Sequence, residues 1–373
     1  MAASRRHRLA GVFEAVGMSE EEKKMKSIMG LVQHRLARVF CVSLAAVVAL
    51  MISQDGFANR VADETESFDD YLARVRSAAI LNGVASETVD AAFRGLTRDE
   101  RVIGYDRKQP EFVQTFDEYL TARVTNFRKQ EGRKLLKLHQ PLLDEIAGLY
   151  GVDPEYIVAF WGLETSFGRY QGKYSIVRSL ATLGHDQRRA AFFTAELLKA
   201  LQILDEQHVV PEAFVGAWAG AMGQSQFMPS SFLRFAVDHD GDGRKDIWSN
   251  KADVFASIAN YLNKAGWKRG AGWGGPVSFN TVDFASLKPL DVDPGCRALK
   301  RHSRKMSISD WADLGVVPGV QLADQPYALV SPEPGASSGY LVGGNYRAIL
   351  NYNCADKYAV SVGLMSEAIA TPD

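Results

Sequence analysis

The chain has 373 residues, 46% of them hydrophobic and 23% charged, which is enough apolar material for two or three domains or for one large core with additions. Its 43 basic and 44 acidic residues leave a net charge of -1, which argues against a protein that coats nucleic acid. Three cysteines exclude a disulfide-framework mini-protein and a multi-cysteine zinc protein, and 32 glycines with 13 prolines exclude collagen-like or low-complexity character.

In chain order, the first element is a leader. Residues 39–52 are uncharged and almost wholly apolar, His34, Arg35 and Arg38 precede them, and Gly56-Phe57-Ala58 follows. The run is shorter than the roughly 18 to 20 residues a membrane span needs, and its three parts match an exported-protein signal peptide over 1–58, cleaved after Ala58. The alternative is an uncleaved anchor that associates with a membrane. Glu14, Glu20, Glu21 and Glu22 are unusual ahead of such a leader, so Met25 or Met29 is the expected start. Cys41 departs with the leader, leaving Cys296 and Cys354. In an oxidising compartment these two are a candidate disulfide. Two buried free thiols are the equal alternative.

Residues 59–150 read as a helical N-terminal part. Phe68, Tyr71, Leu72, Val75 and Ala78 recur at three- and four-residue steps, one face of a helix. Arg123, Arg128, Lys129, Arg133, Lys134 and Lys137 read as a solvated basic helix face. Asp153-Pro154-Glu155 marks a helix start: a capping side chain, proline at the first position, then an acid favourable to the dipole. Residues 156–163 are apolar nearly all round, which predicts a buried helix. From Pro276 onward, glycine, proline and serine clusters bracket short runs at 327–330 and 346–352, which the alternation predicts as strands.

The chemistry concentrates in residues 151–275. Glu164 ends the apolar helix. A carboxyl at the edge of apolar surroundings loses hydration of its charged form, which suits it to act as a general acid, with Trp161 and Phe167 supplying those surroundings. A solvated surface glutamate is the bland alternative. Asp238, Asp240 and Asp242 stand at positions one, three and five of a loop with Gly243 at six, the Arg244 carbonyl at seven and Asp246 at nine, the EF-hand pattern for a structural Ca²⁺. Ser249 stands where the twelfth-position glutamate belongs, and Asp253 is the candidate replacement. An acidic turn without metal is the alternative, and no organic cofactor is expected. In the stretch Gly220 to Ser230, glycines permit close backbone approach and Gln226 offers donors and an acceptor. Trp161, Trp218, Trp248, Trp267 and Trp273 fall in the same region, as core residues or as flat faces for sugar.

Glu164-Thr-Ser-Phe-Gly, Ala181-Thr-Leu, Gln187-Arg-Arg-Ala, Gly220-Ala-Met-Gly-x-x-Gln-Phe-Met-Pro-Ser-Ser, Ile258-Ala-Asn-Tyr-Leu and Asn345-Tyr-Arg-Ala-Ile-Leu-Asn-Tyr-Asn, in that order, resemble the lytic murein transglycosylase B family from about Phe68 to the end. The resemblance implies a mainly α (α+β) protein with a lysozyme-like catalytic core at 151–275 and a smaller β-containing part with a closing C-terminal helix at 276–373. It implies cleavage of the β-1,4 bond between N-acetylmuramic acid and N-acetylglucosamine in peptidoglycan, leaving a 1,6-anhydro end. Glu164 falls on the family's single acid, which serves first as acid and then as base, with the substrate's own N-acetyl group assisting. Gln226, Tyr261, Tyr352 and Tyr358 match groove positions. Arg188 and Arg189 match an arginine pair suited to stem-peptide carboxylates. Ala217 stands where the family often has serine. The expected setting is the periplasm, with peptidoglycan strands, their stem peptides and other cell-wall enzymes as partners, no nucleic acid, and a monomer. A lysozyme-type hydrolase and a non-catalytic, Ca²⁺-stabilised wall-binding scaffold are the competing readings.

Overall fold

The computed structural model describes residues 66–371, apart from 108–113, 281, 284–285, 289–294 and 332–335. The leader expected over 1–58 lies outside the described residues. Ser67 opens the first helix: its hydroxyl accepts the Asp70 N–H at 3.1 Å, and α1 (Phe68–Leu81) then buries Tyr71, Leu72, Val75 and Ala78 on one face. Five helices follow: α2 (Ser86–Phe93), α3 (Glu100–Arg107), α4 (Phe116–Arg123), α5 (Asn126–Leu138) and α6 (Gln140–Tyr150). A Thr115–Glu118 capping box starts α4, satisfying two orphan amides reciprocally.

Helix α7 (Pro154–Thr165) lies in the main core. Every residue from Tyr156 to Leu163 is buried, as an all-round apolar helix requires. Asp153 occupies the N-cap position but does not cap with its side chain. Its carboxylate instead accepts the Trp267 Nε1–H at 3.1 Å and the Gly270 N–H at 3.1 Å, tying the helix start to a later loop. Next come β1 (Tyr174–Ser175), α8 (Ile176–His185), α9 (Ala190–Asp205) and β2 (Val215–Gly216), with β1 and β2 paired antiparallel. Helices α10 (Pro229–Phe235) and α11 (Lys251–Lys264) flank the acidic loop.

The tail holds β3 (Gly274–Ser278), α12 (Ile308–Asp313), β4 (Val317–Pro318), β5 (Ala328–Val330), β6 (Ser338–Val342), α13 (Gly344–Tyr352) and α14 (Asp356–Ala370). Its antiparallel sheet runs β4-β3-β6-β5. Period-two alternation sorts its side chains: Val277, Leu329 and Leu341 join Trp311 and Tyr327 in a small second core, while Ala328, Val330 and Val342 join the main one. The strand expected at 346–352 is helix α13. Tyr346, Ile349 and Leu350 are spaced for one helix face, and over seven residues that pattern is indistinguishable from alternation.

Helix α14 packs on α7, α5 and α4. Cys296 and Cys354 are joined by a disulfide with Cα atoms 5.5 Å apart, just ahead of that helix. Among the described residues no helix is long and apolar enough to cross a membrane.

Candidate active site

The last turn of α7 places Glu164, and the chain folds back at once. Ser166 and Phe167 both take positive φ (52° and 64°), their amides closing on Gly162 and Trp161 carbonyls at 3.0 and 3.2 Å. A left-handed exit of this kind satisfies the orphan carbonyls of a helix end. Phe167 thereby lies over Gly162, where an added Cβ would come within 2.6 Å of its ring.

Gln224, only 2% exposed, secures this turn from the opposite side. Its Oε1 accepts the Trp161 Nε1–H at 2.8 Å and the Lys251 ammonium at 3.0 Å, and its Nε2 donates to the Trp248 carbonyl at 2.7 Å. The Thr165 hydroxyl donates to the Gln224 carbonyl at 3.0 Å. Sequence reasoning singled out Gln226 and passed over Gln224. The available signal was a second amide side chain in the same glycine-rich turn.

Tyr358, from α14, donates its hydroxyl to Glu164 Oε1 at 2.5 Å. Burial, and then the charge of Glu164, push the Tyr358 phenol well above its ordinary range, so it stays protonated and remains a donor. Burial followed by the Glu164 charge acts on Tyr352 in the same direction. Phe160 bridges the two tyrosines, with ring centroids 4.7 Å from Tyr352 and 6.1 Å from Tyr358. Tyr352 also packs on Tyr261 at 4.6 Å and donates to the Ser225 carbonyl. Tyr261 donates to the Asn351 carbonyl at 2.6 Å. Gln226, at φ 51°, turns its Nε2 onto the Gly223 and Gln171 carbonyls at 2.9 and 3.2 Å. Glu164, Tyr358, Phe160, Tyr352 and Tyr261 thus form a row of successive contacts that runs from the carboxyl through aromatic rings.

Trp161 and Phe167 pack edge-to-face on each other at 5.4 Å, and Trp161 is buried with its N–H on Gln224. Trp267 and Trp273 are also core residues, whereas Trp218 and Trp248 are half-buried. Ala217, where the family often has serine, donates its amide to the Ala221 carbonyl at 2.8 Å. Arg188 and Arg189 already have an anion: both guanidinium groups bind Asp106, which is 2% exposed, Arg188 reaching Oδ2 at 2.8 Å.

In the acidic loop, carboxylate oxygens of Asp238, Asp240 and Asp253 lie within 4.8 Å of one another. Asp253 is fully buried, and burial pushes its carboxyl above the usual range; the amides of His239 and Asp246 oppose that, and the charges of Asp240 and Asp238 add to it. The other carboxylates of the loop accept backbone amides, as Asp238 does from Gly241 and Gly243. Asp242 accepts the Arg244 N–H at 2.8 Å, and Asp246 accepts the amides of Trp248 and Ser249 at 2.9 and 2.8 Å, forming the turn into α11. Three all-oxygen donors gathered this closely suit a hard divalent cation, which would relieve their mutual repulsion.

The family described as "Transglycosylase SLT domain" matches residues 67–367. Membrane-bound lytic murein transglycosylase B of Escherichia coli (strain K12) is 33% identical over 255 residues, spanning 68% of this chain and 66% of that protein, just under two thirds of its length. The crystal structure of SltB3 from Pseudomonas aeruginosa in complex with NAG-anhNAM-pentapeptide is 35% identical with a TM-score of 0.74, over 82% of this chain and 80% of that one. Escherichia coli Slt35 in complex with calcium is 28% identical with a TM-score of 0.67, over 84% and 97%. With the family match running across residues 67–367, on a fold shared with solved relatives, the chain belongs to the transglycosylase SLT domain family.

Proposed function

We propose that the protein is a peptidoglycan lytic transglycosylase that cuts the β-1,4 bond between N-acetylmuramic acid and N-acetylglucosamine. The observation that carries this reading is the Glu164 carboxyl at the end of a buried helix, fixed by a tyrosine that stays protonated. Glu164 gives its proton to the glycosidic oxygen, which leaves as the 4-hydroxyl of N-acetylglucosamine, while the substrate N-acetyl group supports C1. The C6 hydroxyl then attacks C1 and returns its proton to Glu164, closing the 1,6-anhydro ring without consuming water. One carboxyl acting twice needs no enzyme nucleophile, the substrate-assisted exception among glycoside-cleaving enzymes.

Tyr261, Tyr352 and Gln226 line the glycan path in this reading, and the tyrosines offer flat faces to sugar rings. Residues 151–275 form the catalytic core, 59–150 its helical flank and 276–373 its closing part. Asp238, Asp240 and Asp253 would hold a structural Ca²⁺, which supplies loop rigidity and no step of the chemistry; the Slt35 relative was solved with calcium. The periplasm is the compartment where such a substrate lies, and the Cys296–Cys354 disulfide suits an oxidising one. The test is product mass. Digestion of isolated peptidoglycan should give anhydro ends, lighter by one water than hydrolytic ends, and Glu164→Gln should abolish them. Hydrolytic products would turn the reading to a muramidase, and release by Glu164→Gln at the wild-type rate would refute Glu164 as the acid.

A further inference from the structure

A cavity of about 370 Å³ opens between α10, α11 and the end of α13, one residue along the row from Tyr352. Its walls include Ser230, Ser231, Arg234, Tyr261, Lys264 and Asn351, and no acidic side chain. Arg234 and Lys264 are both exposed, and among the described residues neither forms an ion pair. Arg234 stacks over Phe235 at 4.9 Å, and Phe235 in turn packs on Tyr261 at 4.4 Å, so the guanidinium lies against a ring of the cavity wall. Each cation stands in the last turn of its helix, where it is favourable to the dipole. That accounts for two isolated charges. It does not account for their meeting across one concavity with two hydroxyls and no counter-charge.

We infer that this cavity binds a carboxylate of the peptidoglycan stem peptide, with Arg234 and Lys264 as its cations and Ser230 and Ser231 as hydroxyl donors. The inference rests on the transglycosylase reading and names a substrate element of the same groove. In intact peptidoglycan the lactyl carboxyl of muramic acid is taken up in an amide, so the free carboxylates of a strand lie in its peptides. The SltB3 relative was solved with a pentapeptide-bearing saccharide. On this chain Arg188 and Arg189 share one buried carboxylate, Asp106, whereas Arg234 and Lys264 have no ion-pair partner among the described residues and stand beside Tyr261. A guanidinium and an ammonium on two helices can hold a carboxylate from both sides.

The test compares two substrates of equal size on the full chain: glycan strands bearing stem peptides with free carboxyl groups, and the same strands with those carboxyl groups converted to amides. The wild type should show kcat/KM roughly tenfold higher on the free acids, the scale of one or two charge-assisted contacts at a partly exposed site. Arg234→Gln with Lys264→Gln should bring that ratio close to one, and Arg234→Lys with Lys264→Arg should retain most of it. Both side chains are exposed, so folding should survive; the single variants serve if a thermal melt shows otherwise. A ratio near one in a wild type that cleaves both strands overturns the cavity assignment alone, as does a tenfold preference that persists in the double glutamine variant. A wild type that cleaves neither strand overturns the transglycosylase reading, and this inference with it.

Discussion

Gln224→Ala should be among the most damaging substitutions outside the Glu164–Tyr358 pair, because it deletes three side-chain hydrogen bonds at a 2% exposed position. The Trp161 indole N–H, 1% exposed, loses its acceptor with no water able to replace it, a cost of about 1–3 kcal/mol. The Trp248 carbonyl and the Lys251 ammonium are half-buried and can recruit solvent, so each adds no more than about 1 kcal/mol. The sum is about 1–5 kcal/mol, and at the roughly 1.5 °C per kcal/mol that the unfolding entropy of a chain of this size gives, the thermal midpoint falls by about 2–8 °C. Gln224→Glu should cost less. It keeps acceptors for Trp161 and Lys251 and turns an oxygen onto the Trp248 carbonyl in place of the donated N–H. Chemical denaturation gives the free energies and calorimetry the midpoints. A loss below about 1 kcal/mol for Gln224→Ala would refute the network as the clamp on the end of α7. A loss of turnover beyond the unfolded fraction is expected as well, since that turn carries Glu164.

Other perturbations test separate parts. Tyr358→Phe keeps the ring against Phe160 but removes the donor to Glu164, so kcat should fall about tenfold or more while the melting temperature stays within a degree or two; unchanged kcat would deny Tyr358 its positioning part. Burial, and secondarily the Lys251 charge, hold the His139 imidazole below its ordinary range. Its folded pKa is thus the lower one, so its contribution is complete above about pH 6.5 and is lost as pH falls from there through the folded value; His139→Gln should flatten that slope in melts taken from pH 5 to 8. Serine at both Cys296 and Cys354 opens a 58-residue link and should cost roughly 4 kcal/mol in the chain-entropy model, read by denaturant titration. Added Ca²⁺ should raise the melting temperature by mass action, chelator should reverse it, and Asp240→Ala should abolish the response; a melting curve indifferent to both would dispose of the metal.

Local chemistry was legible in the sequence, and long-range partnership was not. Hydrophobic periodicity placed α1 and the fully buried α7, because a helix's exposure is written in its own residues. Asp153 was recognised at a helix start, yet its carboxylate serves Trp267 and Gly270, more than a hundred residues on. Residues 346–352 fit a strand as well as a helix, since seven residues do not separate the two periods. Motif resemblance put Glu164 and Tyr358 in one site, but only the fold shows the phenol donating to the carboxyl. The same gap hid Gln224, whose partners lie on three segments, and the occupation of Arg188 and Arg189 by Asp106.

The site's dependence on α14 links its chemistry to the end of the chain. Tyr358 lies in the first turn of that helix, and no side chain caps its N-terminus. Asp356, 3% exposed, is fixed instead by three neighbours: His302 at 2.8 Å, Arg301 at 3.0 Å and the Tyr346 hydroxyl at 3.1 Å. The disulfide at Cys354 binds the same junction to the segment carrying Arg301 and His302. Farther along, Gly363 lies so close to Trp273 that an added Cβ would stand 2.3 Å from the indole, and Ile369 fills the space above Gly132 on α5. Arg133 adds a hydrogen bond to the Ala368 carbonyl at 2.7 Å. The phenol that meets Glu164 is thus positioned by a helix gripped at its start, middle and end. On the proposed function, the β-containing tail would bear on the chemistry through that grip, because loosening the docking of α14 would withdraw the Tyr358 hydroxyl from Glu164.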